Sequence, residues 1–290
     1  MSTQITDAFV EQYSSNVTML AQQMGSRLRA SVDVENVRGK NAFFDQIGVT
    51  AAVARTTRHG ATPQVNTPHS RRRVSLADFE WADLVDDLDK VRMLVDPTSS
   101  YAKAAAAAMN RSIDDTVIAA LGGTAQTGVA GGTGTVLPST SKFATTQQAD
   151  GLTLAKLLAA KHFFDAGDVD PSIKRYIVCG AKQIQDLLNT TEIKSSDFNT
   201  IKALAQGDIN SFLGFEFIMS NRLPFDSTNA DDRLCFAYTA DAVKLAIGSE
   251  VKAKISERDD KSYATQVYYS MALGATRMEE SKVFQIPCDE

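Results

Sequence analysis

Apolar and polar positions alternate in this chain with several different periods, and each change of period predicts an element. Around the turn-forming centre His59-Gly60-Ala61-Thr62-Pro63, the residues Val49, Ala51 and Val53 alternate on the way out, and Val74 and Leu76 resume alternation on the way back. Period two on both sides of a glycine-proline turn predicts a β-hairpin across Ile47–Arg73. It carries little apolar material, and an isolated hairpin is marginal in water, so it needs a partner. Residues 1 to about 40 hold only scattered apolar groups, among them Phe9, Val10, Tyr13, Val17, Met19 and Leu20, which predicts an arm that packs on something else.

Further on, the period becomes helical. Asp96 and Pro97 supply an N-cap and a first-position proline ahead of an alanine-rich run, and Gly122-Gly123 supplies a stop, which predicts a helix of roughly 25 residues, about 37 Å, ending near Leu121. Thr124 to Ser141, a Gly/Thr/Ser stretch with Pro138, reads as a long connection or a flexible hairpin. Leu154, Leu157, Leu158 and Phe163 give a second helix over Leu152–Ala166, closed by Gly167. After it, Arg175–Cys179, Phe215–Met219 and Leu234–Tyr238 are expected as strands, Ala181–Leu188 and Asp241–Ala246 as short helices, and Val251–Ile286 as largely β. No internal repeat is evident. The expected class is α+β.

Charge sharpens this outline. Arg55, Arg58, Arg71, Arg72 and Arg73 fall in one stretch without an acid, and Asp78, Glu80, Asp83, Asp86, Asp87 and Asp89 follow in a stretch without a base. Such blocks either pair within the chain as solvated faces, where ion pairs contribute little, or pair between neighbouring copies. Arginine suits the second role because its planar fork fixes orientation on a carboxylate.

Composition excludes several classes. A length of 290 residues suggests roughly two domains at ~150 residues each, and 43% hydrophobic with 22% charged residues is the balance of a globular chain. The net charge of −5 gives no global basic field for nucleic acid or an anionic membrane. No run reaches the ~18 apolar residues of a membrane span, and the first 24 residues lack the features of an export signal. Cys179, Cys235 and Cys288 stand far apart without metal-ligand spacing and are expected to be reduced core residues.

Catalytic signals are equally thin. His59 and His69 sit among arginines, His162 lies beside Phe163 and Phe164 as an expected helix-packing residue, and no nucleophile motif surrounds any serine or cysteine. Gly128 to Gly134 follows a helix and lacks the terminal lysine of a phosphate loop. Asp86-Asp87-Leu88-Asp89 lacks the glycine and distal glutamate of a calcium loop. No enzyme, cofactor or metal site is expected.

The order of arm, arginine-rich hairpin, acidic junction, long helix, mixed part and β-rich return resembles the major capsid protein of tailed bacteriophages with the Hong Kong 97-type fold. The phrases Phe44-Asp45-Gln46-Ile47-Gly48, Arg71-Arg72-Arg73-Val74, Asp78-Phe79-Glu80-Trp81-Ala82-Asp83, Asp96-Pro97, Asn110-Arg111-Ser112-Ile113-Asp114, Ile255 to Asp260 and Gly274-Ala275-Thr276-Arg277 carry the likeness, over about Phe43 to Ile286. The resemblance implies an N-terminal arm (1–40), an extended loop (41–79), a peripheral domain (80–171 plus 249–281) with a spine helix over 97–121, and an axial domain (172–248 plus 282–290). It implies self-assembly into pentamers and hexamers that form an icosahedral head around non-specifically held double-stranded DNA. A portal protein, a separate scaffolding protein, and a decoration or cement protein would be its partners, with assembly in the host cytoplasm and no membrane.

On that reading the basic and acidic blocks are contacts between subunits, and charge reversal of Arg71, Arg72 and Arg73 is expected to disturb assembly while the monomer stays folded. Some relatives weld subunits through a lysine on the extended loop, but no lysine lies between Lys40 and Lys90, so such a bond is not expected. Two alternatives stand beside it: an encapsulin-type nanocompartment shell, and a soluble hydrolase with a triad assembled from distant residues.

Overall fold

The computed structural model describes residues 22–85, 98–144, 150–189, 211–227, 229 and 231–290, with the backbone alone for 98–100. Among them the order is β1 (Asp33–Asn36), β2 (Asn41–Ile47), β3 (His69–Ser75), β4 (Ala77–Val85), α1 (Thr98–Gly122), β5 (Ala125–Thr127), β6 (Thr133–Thr135), α2 (Leu154–Ala166), β7 (Arg175–Cys179), α3 (Ala181–Asn189), β8 (Ser211–Phe212), β9 (Phe215–Met219), β10 (Asp232–Thr239), β11 (Val243–Arg258), β12 (Ala264–Arg277) and β13 (Val283–Asp289). The class is α+β, as expected. The chain forms two compact units: Met1–Ser26, Asp78–Ser112 and Ser249–Ala272 make one, and Arg27–Ala77, Ile113–Gly248 and Leu273–Glu290 the other. No helix among the described residues is long and apolar enough to cross a membrane.

The larger unit is built on a five-stranded sheet of order β13-β10-β7-β9-β8. Its middle strand, Arg-Tyr-Ile-Val-Cys, is buried along its whole length, which is why the sequence there is a short unbroken apolar run instead of an alternating one. Helix α2 lies on this sheet. The Thr153 side chain accepts from the Lys156 amide at its start, and Gly167 ends it. The Phe163 and Phe284 rings meet at 4.9 Å and the Phe164 and Phe215 rings at 6.0 Å. Lys156, fully buried on the same helix, donates to the carbonyls of Asp150 and Pro287 and so ties α2 to the last strand. His162 faces outward, against the packing role expected of it, because Phe164 occupies the inward position of that turn.

Three adjacent strands of this sheet carry the three cysteines, all buried and unpaired. Burial pushes the Cys179 thiol up to about 12. The Cys235 thiol is raised first by its hydrogen bond with Cys288 and then by burial.

Helix α1 crosses from one unit to the other. Within the smaller unit it buries Ala105, Ala107 and Met109, while Arg111 donates to the Gln22 side chain at 2.8 Å and Asn110 to the Met24 carbonyl at 3.1 Å. Within the larger unit it buries Ile113, Val117, Ile118 and Leu121. There Asp114, wholly buried, accepts from the amides of Arg27 (3.1 and 3.2 Å) and Leu28 (3.1 Å), fixing where the incoming segment meets the helix. Asp96 and Pro97, the expected start signal, lie outside the described residues.

The end of α1 differs from expectation. Neither Gly122 nor Gly123 adopts a positive φ, so left-handed closure is not the device. Gly122 is small because a β-carbon there would come within 2.9 Å of the Phe236 ring, and the exposed carbonyls of the last turn are taken by an arginine described below.

One further expectation is corrected. Asp241–Ala246 is not a helix: Ala242 closes a turn onto Thr239 at 2.9 Å, and Val243, Leu245, Ala246 and Ile247 then enter β11, buried beside β1. Within Thr124–Ser141 the hairpin alternative holds, since β5 and β6 pair antiparallel there and add to the hairpin strands in the order β2-β3-β5-β6. The return over Val251–Ile286 is β, as expected.

Replacing Asp114 by alanine strands the buried Leu28 amide and the part-buried Arg27 amide, and a loss of about 1–3 kcal/mol is expected from denaturant unfolding curves. Thiol titration of the native chain is expected to find none of the three cysteines reactive at neutral pH, and all three once the fold is lost in denaturant.

Candidate assembly interface

The hairpin is real, but its outgoing strand lies ahead of the alternating residues expected to form it, while its return strand begins inside the expected span, at His69, and runs on to Ser75. Strands β2 and β3 pair over seven rungs, from Asn41↔Ser75 to Ile47↔His69, and the Gly48 amide bonds the Pro68 carbonyl at 2.8 Å. Val49, Ala51 and Val53 belong to no strand among the described residues and stay exposed, so alternation there gains no pairing. Because faces alternate along a strand, Arg71 and Arg73 point to one side, and Arg72 and Val74 to the other with Ala42 and Phe44.

That second face docks on the chain's own larger unit. Phe44 and Val74 are buried with Ala246 and Met278, and Val37, Ala42 and Leu76 pack around them. The approach is close: a β-carbon at Gly274 would come within 3.0 Å of a Val74 methyl and would strike the Ser75 carbonyl. Arg72, only 7% exposed, donates from Nε to the Met278 carbonyl (2.9 Å) and from Nη2 to both oxygens of Glu280 (2.8 and 2.7 Å).

Glu280 also faces Arg277, whose Nε lies 3.6 Å from Oε1. Arg277 is wholly buried; its Nη1 donates to the Leu121 (2.9 Å) and Gly123 (2.7 Å) carbonyls and its Nη2 to Thr135 (3.1 Å). These bonds cap the C-terminal end of α1, where unpaired carbonyls favour a cation. Burial is the main cause holding the Arg277 guanidinium below its ordinary value. One carboxylate therefore serves two cations, one at the base of the hairpin and one at the end of the long helix.

The three consecutive arginines thus have three different surroundings. Arg71 bonds Asp45, its direct neighbour across the ladder, at 2.6 Å from Nε, and lies over the Phe43 ring at 5.4 Å. The hydrogen bond from Arg71 holds the Asp45 carboxyl below its ordinary value. Arg73 lays its stem on Gly131 in the turn between β5 and β6. Charge reversal of the whole run would place a carboxylate against Glu280, so the fold would not survive it as expected.

Beyond the paired base the hairpin has no cover among the described residues. Ile47 is 71% exposed, Val49 99% and Val53 60%, and Arg55 and Arg58 are exposed beside them. Arg55 donates to the carbonyls of Thr57 (2.9 Å) and Arg58, which shapes the tip turn. His59 and His69 are exposed as well.

Of the acidic block, Asp78 and Glu80 are exposed and Asp83 half-buried on β4; Asp86, Asp87 and Asp89 lie outside the described residues. Glu80 accepts a hydrogen bond from Tyr268, and this is the main cause raising the Tyr268 hydroxyl above its ordinary value. Asp83 accepts from the Leu84 amide at 2.9 Å. The partners that Arg71 and Arg72 find are Asp45 and Glu280, both outside that block. Sequence reasoning missed Glu280 and the capping role of Arg277; its only signal for the latter was a cation closing an otherwise uncharged strand.

The fold recurs in solved capsids. The chain is similar to the capsid of the cyanophage P-SCSP1u at 17% identity and a TM-score of 0.77, covering 100% of this chain and 96% of that one. It is similar to Mycobacterium phage Che8 at 16% identity and 0.68, covering 96% and 97%. The capsid of the native GTA particle follows at 12% identity and 0.71, with both chains covered in full. No curated protein matches the chain. A family model described as phage capsid protein matches residues 5–290, which favours a phage capsid over an encapsulin shell. The chain belongs to the phage capsid protein family, as a structural major capsid protein.

Proposed function

We propose that copies of this chain gather as pentamers and hexamers and close into an icosahedral head around double-stranded DNA, held without sequence preference. The observation that carries the reading is the uncovered tip of the hairpin: a basic, valine-bearing finger with nothing to rest on among the described residues of its own chain. A second copy supplies that rest. Heterologous contacts of this kind close into rings, and many weak contacts sum to a durable lattice while single errors still dissociate. Arg55, Arg58 and the outward side of Arg71 and Arg73 face a neighbour in this reading, with acids of the Asp78–Asp89 block as candidate acceptors.

Within it, residues 1–40 act as the arm, 41–79 as the extended loop, 80–171 with 249–281 as the peripheral domain and 172–248 with 282–290 as the axial domain. A portal protein, a separate scaffolding protein and a decoration or cement protein complete the particle, which assembles in the host cytoplasm. The role involves no catalysis.

The test leaves the base alone. Arg55→Glu combined with Arg58→Glu changes two exposed tip residues, so the subunit is expected to melt within a few degrees of the native protein, while sedimentation and negative-stain microscopy find at least about tenfold fewer complete particles. Particles at native yield and diameter would remove the tip from the interface and, with it, the support for this reading.

A further inference from the structure

We infer that Glu280 is a positioning residue that sets the direction of the hairpin finger, by holding Arg72 at the finger's base and Arg277 at the end of the long helix on one carboxylate. The inference deepens the capsid reading and rests on it for its consequence in particles, but its structural part stands on the chain alone.

The geometry is specific. Arg72 reaches both oxygens of Glu280 at 2.8 and 2.7 Å, a bidentate bond that fixes the plane of the guanidinium as well as its distance. Its Nε is held at the same time by the Met278 carbonyl, two residues before Glu280 in sequence, so strand β3 is gripped at two points of one short segment. Arg277, one residue earlier still, is held by three carbonyls, Leu121 in α1, Gly123 just past its end and Thr135 in β6, and offers Nε to Glu280. The link from finger to helix therefore runs Arg72, Glu280, Arg277, Leu121, and it passes through one acidic group.

Two features separate positioning from plain stability. The apolar contacts of Phe44, Val74, Ala246 and Met278 already bind the finger's base to the unit. Apolar contacts tolerate rotation, however, whereas a bidentate pair does not. Arg72 Nη1 and Arg277 Nε have no hydrogen-bond partner among the described residues, so neither arginine has a second carboxylate to fall back on if Glu280 is lost. The finger extends from Gly48 to Pro68 beyond the last rung, and a small rotation at its base displaces the tip far more than the base.

Three proteins test this: the native chain, Glu280→Gln, and the double variant Arg72→Met with Glu280→Gln. The double variant removes both charges of the Arg72 pair and leaves Arg277 on its three carbonyl acceptors, so it is expected to melt above Glu280→Gln, which strands two cations instead of one. Hydrogen exchange is read on the subunit before assembly. In both variants amides of Phe43–Gln46 and Arg71–Val74 are expected to exchange about tenfold faster, with those of Ile177 and Phe236 unchanged. In assembly, both are expected to give fewer particles and a wider spread of diameters, the double variant doing so although it melts above Glu280→Gln. The inference is overturned if the hairpin amides keep native protection, if all amides accelerate together as for a general stability element, or if particles of native size form at native yield. Failure of the native chain itself to form shells would instead count against the capsid reading, and the exchange measurement would still decide the role of Glu280.

Discussion

The arrangement depends on how this chain buries cations. Arg72, Arg277, Lys156 and Arg175 are all nearly or wholly removed from water, and each takes main-chain carbonyls as acceptors: Met278 for Arg72, Leu121, Gly123 and Thr135 for Arg277, Asp150 and Pro287 for Lys156, and Val169 for Arg175. Several of those carbonyls, at Leu121, Gly123, Thr135 and Met278, sit at or just past the end of a helix or strand, where the backbone has acceptors left over. A buried cation there satisfies groups that would otherwise be orphaned, and in return it fixes which ends lie together. Breaking such a buried pair by removing one partner typically costs about 3–5 kcal/mol, whereas the pair as a whole adds little. Its contribution is therefore to specificity of arrangement more than to total stability.

That distinction explains the divided character of the finger. Its base is over-determined, by seven ladder rungs, an apolar cluster and a bidentate ion pair, while its tip has none of these among the described residues. A segment meant to meet another molecule benefits from being directed before the encounter, because freedom lost on binding subtracts from affinity. A tip free in all directions would cost more to capture, and a tip fully docked on its own chain would have nothing left to offer. The weak contacts that a shell needs for error correction become effective when their geometry is set in advance.

How much of this was legible follows from which interactions are local. Strands β7 and β9 and helix α2 were readable because their signals lie within a few residues: a short apolar run, a helical spacing of leucines and phenylalanine, a glycine stop. The hairpin was readable as a turn, but its outgoing strand fell ahead of the residues whose alternation suggested it, since pairing is decided by what lies underneath. Phe44 and Val74 have Ala246 and Met278 to bury against, and Val49 and Val53 have nothing. The region Asp241–Ala246 failed in the same way, because a strand buried between neighbours overrides a weak helical spacing. The charge blocks were visible, but Glu280 lies 208 positions from Arg72 and Asp45 lies on the facing strand, neither of them in the adjacent acidic run. Gly122 and Gly123 marked a helix end correctly for a reason sequence does not carry, the nearness of the Phe236 ring and the reach of Arg277.

The run of three arginines shows why residue type alone underdetermines role. A period of two along β3 sends the middle one inward and the outer two outward, so identical side chains become a buried anchor, a cross-strand partner and a packing stem. Arginine rather than lysine suits all three. Its charge does not titrate in the accessible range, and its fork holds orientation where an ammonium would pivot. On the outer face the bond from Arg71 keeps the Asp45 carboxyl ionised below the ordinary range. Stability from that pair is present above the ordinary carboxylate value and is lost only as pH falls through the lowered one. The Arg71–Asp45 pair at the base of the finger therefore keeps its charges through neutral and mildly acidic conditions.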